Sequence, residues 1–327
     1  MASDMNFRRI LVAVSDCTTK NSPALAKAAA IARAGGGTLT LFHSLYSSAI
    51  SGESLIGPDR LERDIEAAVR QRKQQLEAIA APHVRDGVQV RVRVRWDYPV
   101  HESIVREVLR GKSDLVVIES HRHTRLARIV LSNTDWQLIR VCPVPVLFVK
   151  SARPYERARI VAAIDPLHAY AKPAELDADI LAAAAGLARD FNGRLHAVHV
   201  YQMATPFTSG VLMEPVPLPV NIGARQLERI RREFTELVGP YDLPERRRHL
   251  RAGNAADEIV ALAERTEAGI VVMGAISRSG LKRLFVGSTA ERVIDRLNCD
   301  VLVLKPAGFR TPVPRRRSPP PVVLPPI

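Results

Sequence analysis

Apolar and polar positions alternate along this chain in two rhythms. Runs of four to six apolar, mostly β-branched residues recur near Leu11, Leu39, Val92, Val116 and Leu147, and again near Val161, Leu195, His249, Val271 and Leu302. Between them lie helical patterns bounded by Gly, Pro and Asp. Strands that alternate with helices predict βαβ units and a parallel sheet. The runs VVI, PVLFV, IVVM and VLVL are apolar throughout, as strands covered on both faces must be. One strand differs: Arg91, Arg93 and Arg95 alternate with Val90, Val92 and Val94, the pattern of a strand with one solvated face.

The pattern also repeats. At an offset of 150 to 156 residues, ILVAVS from Ile10 falls on IVAAID from Ile160, and His43 falls on His199. WDYPVHESIV from Trp96 falls on RAGNAADEIV from Arg251, and SNTDWQLIRVCPVPVLFVK from Ser132 on GSTAERVIDRLNCDVLVLK from Gly287. A repeat of this length outranks local readings. It predicts two tandem doubly wound, Rossmann-like α/β domains, each with a five-stranded parallel sheet. The expected boundaries are 1–152, 153–307 and a basic, Pro-rich tail at 308–327 expected to be disordered or polyproline.

Composition narrows the class. The chain has 327 residues, 46% of them hydrophobic and 25% charged, as a soluble globular protein of about two domains has. No apolar run is long enough to span a bilayer and no signal-like cleavage site follows the N-terminus, so a cytoplasmic location is expected. Cys17, Cys142 and Cys299 are isolated and predict neither disulfides nor a zinc knuckle. A formal charge of +13 raises the question of nucleic acid. The cations read instead as solvated strand faces, among them Arg246, Arg247, Arg248 and Arg251, plus the tail arginines Arg310 and Arg315 to Arg317. No nucleic-acid-binding motif accompanies them.

Candidate chemistry concentrates between Val271 and Lys305. An apolar strand there leads into a Gly- and Ser-rich loop with cations, then a helix, then a last strand. Free backbone N–H groups and a helix N-terminus at the carboxyl end of a parallel strand form an anion site. Gly274 permits close backbone approach, and Gly287, Ser288 and Thr289 open the helix toward phosphates. The alternatives at each position stay open. Ser288 with Glu291 reads as a capping box, Gly274 as a positive-φ turn, and Asp165 before Pro166 as a turn or cap residue. Arg278, Lys282 and Arg283 are loop cations that could pair with a triphosphate or only with water.

These residues resemble the universal stress protein family, and the double copy is similar to its tandem, E-type members over residues 7–306. Nucleotide-binding members space Gly, two residues, Gly, nine residues, Gly and then Ser or Thr; here Gly274, Ser277, Gly287 and Ser288 stand at those points, with Ser277 departing from glycine. If that point requires φ > 0, serine there costs roughly 1 kcal/mol. The resemblance implies that Asp165 and Ala163, with the backbone near His199 and Met273, hold the nucleoside of an adenine nucleotide such as ATP, with Mg as an accompanying ion. Gly274, Ser277, Gly287, Ser288 and Thr289 would hold ribose and phosphates. It also implies that the two halves pack on each other as an intrachain pseudo-dimer, and a further homodimer is left open.

In the first half the matching positions are Glu119, Arg122, Ser132 and Asn133, and Ser15 replaces Asp165. A carboxylate at Glu119 would repel phosphate, so no nucleotide is expected there. Asn133 reads as a helix N-cap and Trp136 as a core anchor. His121, His123 and His101 form no metal-ligand spacing. There is no P-loop and no GxSxG elbow, so binding rather than fast catalysis is expected, with slow ATP turnover left open. The connection Tyr201 to Gly223 is long and apolar, which keeps alive a second reading: a nucleotide-independent scaffold or hydrophobic-ligand carrier using residues 203–222.

Overall fold

A computed structural model of the full chain describes residues 5–19, 21–46, 58–120, 131–167, 175–202, 221–274 and 287–316. The ten predicted strands all form: β1 (Arg9–Ala13), β2 (Thr38–Leu45), β3 (Gln89–Trp96), β4 (Leu115–Glu119), β5 (Val146–Val149), β6 (Arg159–Ala163), β7 (Arg194–Tyr201), β8 (Arg248–Ala252), β9 (Ala268–Gly274) and β10 (Asp300–Leu304). The helices among the described residues are α1 (Pro23–Gly35), α2 (Pro58–Arg85), α3 (Val100–Gly111), α4 (Asn133–Val141), α5 (Glu175–Asp190), α6 (Asn221–Val238), α7 (Ala255–Arg265) and α8 (Ser288–Arg296).

Contacts divide the chain into two compact units, one dominated by residues 7–119 with 132–146 and the other by 147–308. In the first, strands run in the order β3-β2-β1-β4, and every pairing is parallel. The second follows the same plan with β10-β9-β6-β7-β8, again parallel. Order reverses at β1 and at β6, the place where a doubly wound sheet opens its ligand crevice. The apolar runs are buried as expected: β4 carries Leu115, Val116 and Val117 at 0% exposure, and β9 carries Ile270, Val271 and Val272 likewise.

Matching local devices produce the matching turns. α1 begins with Ser22 capping Leu25 N and a Pro in its first turn, and stops at Gly36 in the left-handed conformation. The loops before β2 and β7 both need a residue without a side chain. A Cβ on Gly37 would sit 2.8 Å from Arg8 O, and one on Gly193 2.2 Å from Ala158 O. The repeat read in the sequence is thus also a repeat of steric constraints.

Two local expectations are corrected. α4 is capped by Ser132, whose Oγ accepts from Asp135 N while the Asp135 carboxylate accepts from Ser132 N. Asn133 is the first helical residue, because only Ser132 lies three residues before an acid that can answer it. Trp136 is half-buried and not a core anchor; Leu138 and Ile139 fill the core from that helix. Residues 309–316 of the tail hold neither helix nor strand, and Val313 is buried.

Candidate functional site

The predicted site residues of the second half come from three strand ends and one helix start. Ala163 ends β6 and pairs in register with Val198 of β7 and Met273 of β9. Two residues on, Asp165 leaves the sheet with 18% of its side chain exposed, while His199 of β7 is buried. Gly274 closes β9 opposite Leu304, and Gly287 precedes α8. Asp165, His199, Met273 and Gly274 are thereby gathered at the carboxyl edge of one sheet. Ser277, Arg278, Lys282 and Arg283 lie outside the described residues, as do the side chains of Ser288 and Thr289.

His199 is fixed by its fold partner. Its Nδ1 lies 3.1 Å from Ile164 O and 3.8 Å from Asp165 Oδ1. A carbonyl oxygen only accepts, so Nδ1 carries the proton and donates. His43 does the same in the first half, with Nδ1 2.8 Å from Val14 O. Burial there pushes the His43 pKa down.

Asp177, in the first turn of α5, completes the arrangement and was not foreseen. It is fully buried, and its Oδ1 accepts the Asp165 backbone N–H at 3.0 Å. It sets the direction in which the chain carries Asp165 out of the sheet. An acidic residue in a helical first turn reads in sequence as a partner of the helix dipole, so nothing local distinguishes this role. Asp165 is accordingly held through its backbone N–H.

Gly274 is needed for proximity, since its φ lies outside the left-handed region. A Cβ there would come within 2.8 Å of Leu176 Cδ2 and 3.4 Å of Ile180 Cδ1, both on α5. Those side chains are fully buried, so they have little room to yield. The alternative of a positive-φ turn at Gly274 is therefore ruled out: its missing side chain admits α5 to the strand end.

Gly287, and not Ser288, occupies the cap position of α8, with φ −65° and ψ 144° and no side-chain cap bond. Ser288 is the first helical residue and not the cap read in the sequence, and its side chain lies outside the described residues. The first-turn N–H groups of a helix have no partners within it, and a glycine cap brings no side chain to satisfy them. At the equivalent place in the first half, Ser132 and Asp135 satisfy their helix start reciprocally. Glu119, which replaces Gly274, accepts from Ser22 Oγ at 2.7 Å and so ties β4 to the start of α1.

Among the described residues no group of three or more His, Cys, Asp or Glu is placed to hold a metal. His121, His123 and residues 203–220 of the apolar connection lie outside the described residues. No described helix is long and apolar enough to cross a membrane. All three cysteines are free thiols, and burial pushes Cys17 up to about 11.

Fold and repeat first define a class: a tandem of two Rossmann-like α/β domains. The profile of the Universal stress protein family matches residues 6–150 and 157–305, and the chain belongs to that family. It is 30% identical over 309 residues to Universal stress protein E of Escherichia coli K12, covering 94% of this chain and 96% of that one. The same-named Photorhabdus laumondii protein is 29% identical over 310 residues, with 94% and 98% covered. Among solved structures, a functionally unknown Pseudomonas aeruginosa protein, PA1789, superposes with a TM-score of 0.69 at 25% identity, covering 92% of this chain and 93% of its own. An Archaeoglobus fulgidus universal stress protein, 18% identical with a TM-score of 0.58 over 91% of this chain and 98% of its own, shares the fold.

Proposed function

We propose that this tandem universal stress protein binds an adenine nucleotide, ATP-like, in the domain formed by residues 147–308, and acts in the stress response by binding and release. The single observation that carries the reading is the glycine-capped start of α8 at the carboxyl edge of the sheet. Its first-turn N–H groups face a position that in the sister domain is closed by Ser132 and Asp135. Phosphate oxygens fit such a terminus because the N–H dipoles and the helix dipole both favour negative charge. Asp165, held by Asp177, would accept from ribose hydroxyls, and Ala163, His199 and Met273 would flank the nucleoside with their backbone. Gly287, Ser288, Thr289 and Ser277 would hold the phosphates, with Mg carried on the phosphates themselves and their water. A cytoplasmic location goes with this reading.

Calorimetric titration of ATP against the full chain and Gly287→Asp is the test. A carboxylate at the cap both satisfies the helix start and repels phosphate, so affinity should fall by roughly tenfold or more, about 1.4 kcal/mol. Failure of the wild-type chain to bind ATP at millimolar concentration would overturn the proposal. The rival reading, a hydrophobic-ligand carrier, rests on residues 203–222; no structural observation favours it.

A further inference from the structure

A second concentration of anion-binding chemistry lies in the other half of the chain, away from any helix start. β3 is the edge strand of its sheet, and its side chains alternate between exposed and half-buried along the whole strand. The exposed set, Arg91, Arg93 and Arg95, lines a cleft of about 610 Å³. Arg8 and Arg9, at the start of β1, and Arg110, in the last turn of α3, line it as well. Thr38 and Thr40 of the neighbouring β2 form its floor.

The charges do not cancel. Glu107, the carboxylate that lines the cleft, is shared by Arg95 at 3.6 Å and Arg110 at 3.3 Å. Arg9 reaches Asp114 at 3.7 Å. Asp114 also accepts the Arg8 backbone N–H at 3.2 Å, but among the described residues the guanidiniums of Arg8 and Arg91 form no ion pair, and Arg93 donates to the carbonyl of its neighbour Val92 at 3.2 Å. An edge strand gains protection against sheet extension from any charge, acidic or basic. That role explains β3 alone, and the last-turn position of Arg110 suits the dipole of α3; neither accounts for Arg8 and Arg9 lining the same cleft. Crowded guanidiniums repel one another, and an anion between them relieves the repulsion.

The geometry selects the anion. Alternate residues on a strand are about 6.6 Å apart, so the β3 guanidiniums form a row and not a ring. A single phosphate could engage one or two of them, whereas a chain of phosphates meets each in turn, and Arg suits phosphate because its donors form a planar fork. Single-stranded nucleic acid is bound with aromatic platforms for its bases. Among the described residues no Phe, Tyr or Trp lines this cleft. We propose that the arginine cleft of β1, β3 and α3 is a binding site for linear inorganic polyphosphate.

The test is fluorescence anisotropy of labelled polyphosphate against the full chain at several salt concentrations. Binding should weaken linearly in log salt, and Arg91→Glu/Arg93→Glu should lower affinity by roughly tenfold or more at low salt. Arg91→Gln/Arg93→Gln, which adds no repulsion, should weaken it in the same direction. Both pairs change exposed side chains, and an unchanged thermal melt confirms the fold. Replacing tail residues Arg315, Arg316 and Arg317 with Ser should leave affinity within about twofold. No binding by the wild-type chain, equal binding by both cleft variants, or loss that follows the tail substitutions would overturn the proposal. Equal or tighter binding of single-stranded RNA of matched charge would overturn the choice of occupant.

Discussion

α4 and α8 begin in the same place in two copies of one fold, yet one start is closed by a capping box and the other has a glycine at its cap. At α4, Ser132 and Asp135 exchange side-chain bonds with each other's backbone. At α8, Gly287 supplies none. The strand ends beside them differ in the same sense: Glu119 is bonded to Ser22, while Gly274 makes room for Leu176. His43 and His199, by contrast, make equivalent bonds to the ends of β1 and β6. A residue kept in both copies belongs to the frame, so His199 by itself is no indicator of a ligand. What separates the copies is the residue at the cap, a serine with an answering acid in one and a glycine in the other.

The two copies also fasten the helix after the third strand differently, and here the contrast can be broken hardest. Asn254 caps α7, accepting from Ala256 N at 2.9 Å and Asp257 N at 3.4 Å. The cap position of α3 is Pro99, which makes no side-chain bond. Its helix is held instead by Arg106, 1% exposed, whose guanidinium binds both oxygens of Asp97 at 2.9 Å and Glu102 at 2.9 Å. Removing Asp97 takes two of the guanidinium's bonds and leaves it only the part-exposed Glu102, so Asp97→Ala should lower stability by roughly 3 kcal/mol, the lower end for breaking a buried pair. Asn254→Ala should cost about 1 kcal/mol, the loss of one cap. Urea unfolding of both variants measures the difference, and equal losses would show that Arg106 is not the fastening of α3.

Much of this was legible in the sequence, and what was missed has a common cause. Continuous apolar runs located β4, β5, β9 and β10, because burial on both faces leaves a local signature; β3 was found from its alternation of Arg and Val, and the offset of His43 from His199 helped disclose the repeat. That Gly287 stands where α8 opens was legible too. The identity of the caps was not, since Ser132 and Asn133, or Gly287 and Ser288, are adjacent residues that all occur at helix caps, and backbone direction chooses between them. Asp177 escaped notice because its partner, the Asp165 backbone, lies across a loop. The arginines of β3 read as a solvated face for the same reason: Arg8 and Arg110 join Arg91 and Arg93 only through the sheet.

The sheet edges give a smaller contrast, open to pH. Register places His43 beside Val94 and His199 beside Leu250, so Thr40 and Arg93 of the first copy stand where the second has His196 and His249. The two rings stack with centroids 5.3 Å apart, and His196 Nδ1 lies 3.0 Å from His249 Nε2. Burial, then Arg247, Arg159 and Arg194, pushes His196 down to about 4; burial, then His196, Arg251 and Arg265, does the same to His249. The folded state thus takes up protons less readily than the unfolded chain, whose histidines titrate near 6.5. Stability from this pair is complete above about 6.5 and is lost as pH falls toward 4. Both rings are partly exposed, so solvent screening keeps the effect below that of the Arg106 pair. Urea midpoints at pH 7.5 and 5 should fall less in His196→Gln/His249→Gln than in the wild type, the residual slope coming from buried histidines such as His43. An unchanged slope would assign the titration elsewhere.

The finest test converts one helix start into the other. Gly287 has φ −65° and ψ 144°, and Ser132 has φ −72° and ψ 166°, so serine fits at 287 without backbone strain. Glycine is therefore not imposed there by conformation. Gly287→Ser should place a hydroxyl where it accepts the Ala290 N–H, as Ser132 accepts that of Asp135. Serine exceeds glycine as a cap by only a few tenths of a kcal/mol, and the variant should be more stable by that amount. The same bond takes one donor from any phosphate, so ATP affinity should fall a few-fold, about 0.5–1 kcal/mol. A melt and a titration on one sample read both changes. Opposite signs are what an open helix start requires, and a gain in stability with unchanged ATP affinity would show that the terminus of α8 is open for some reason other than the nucleotide.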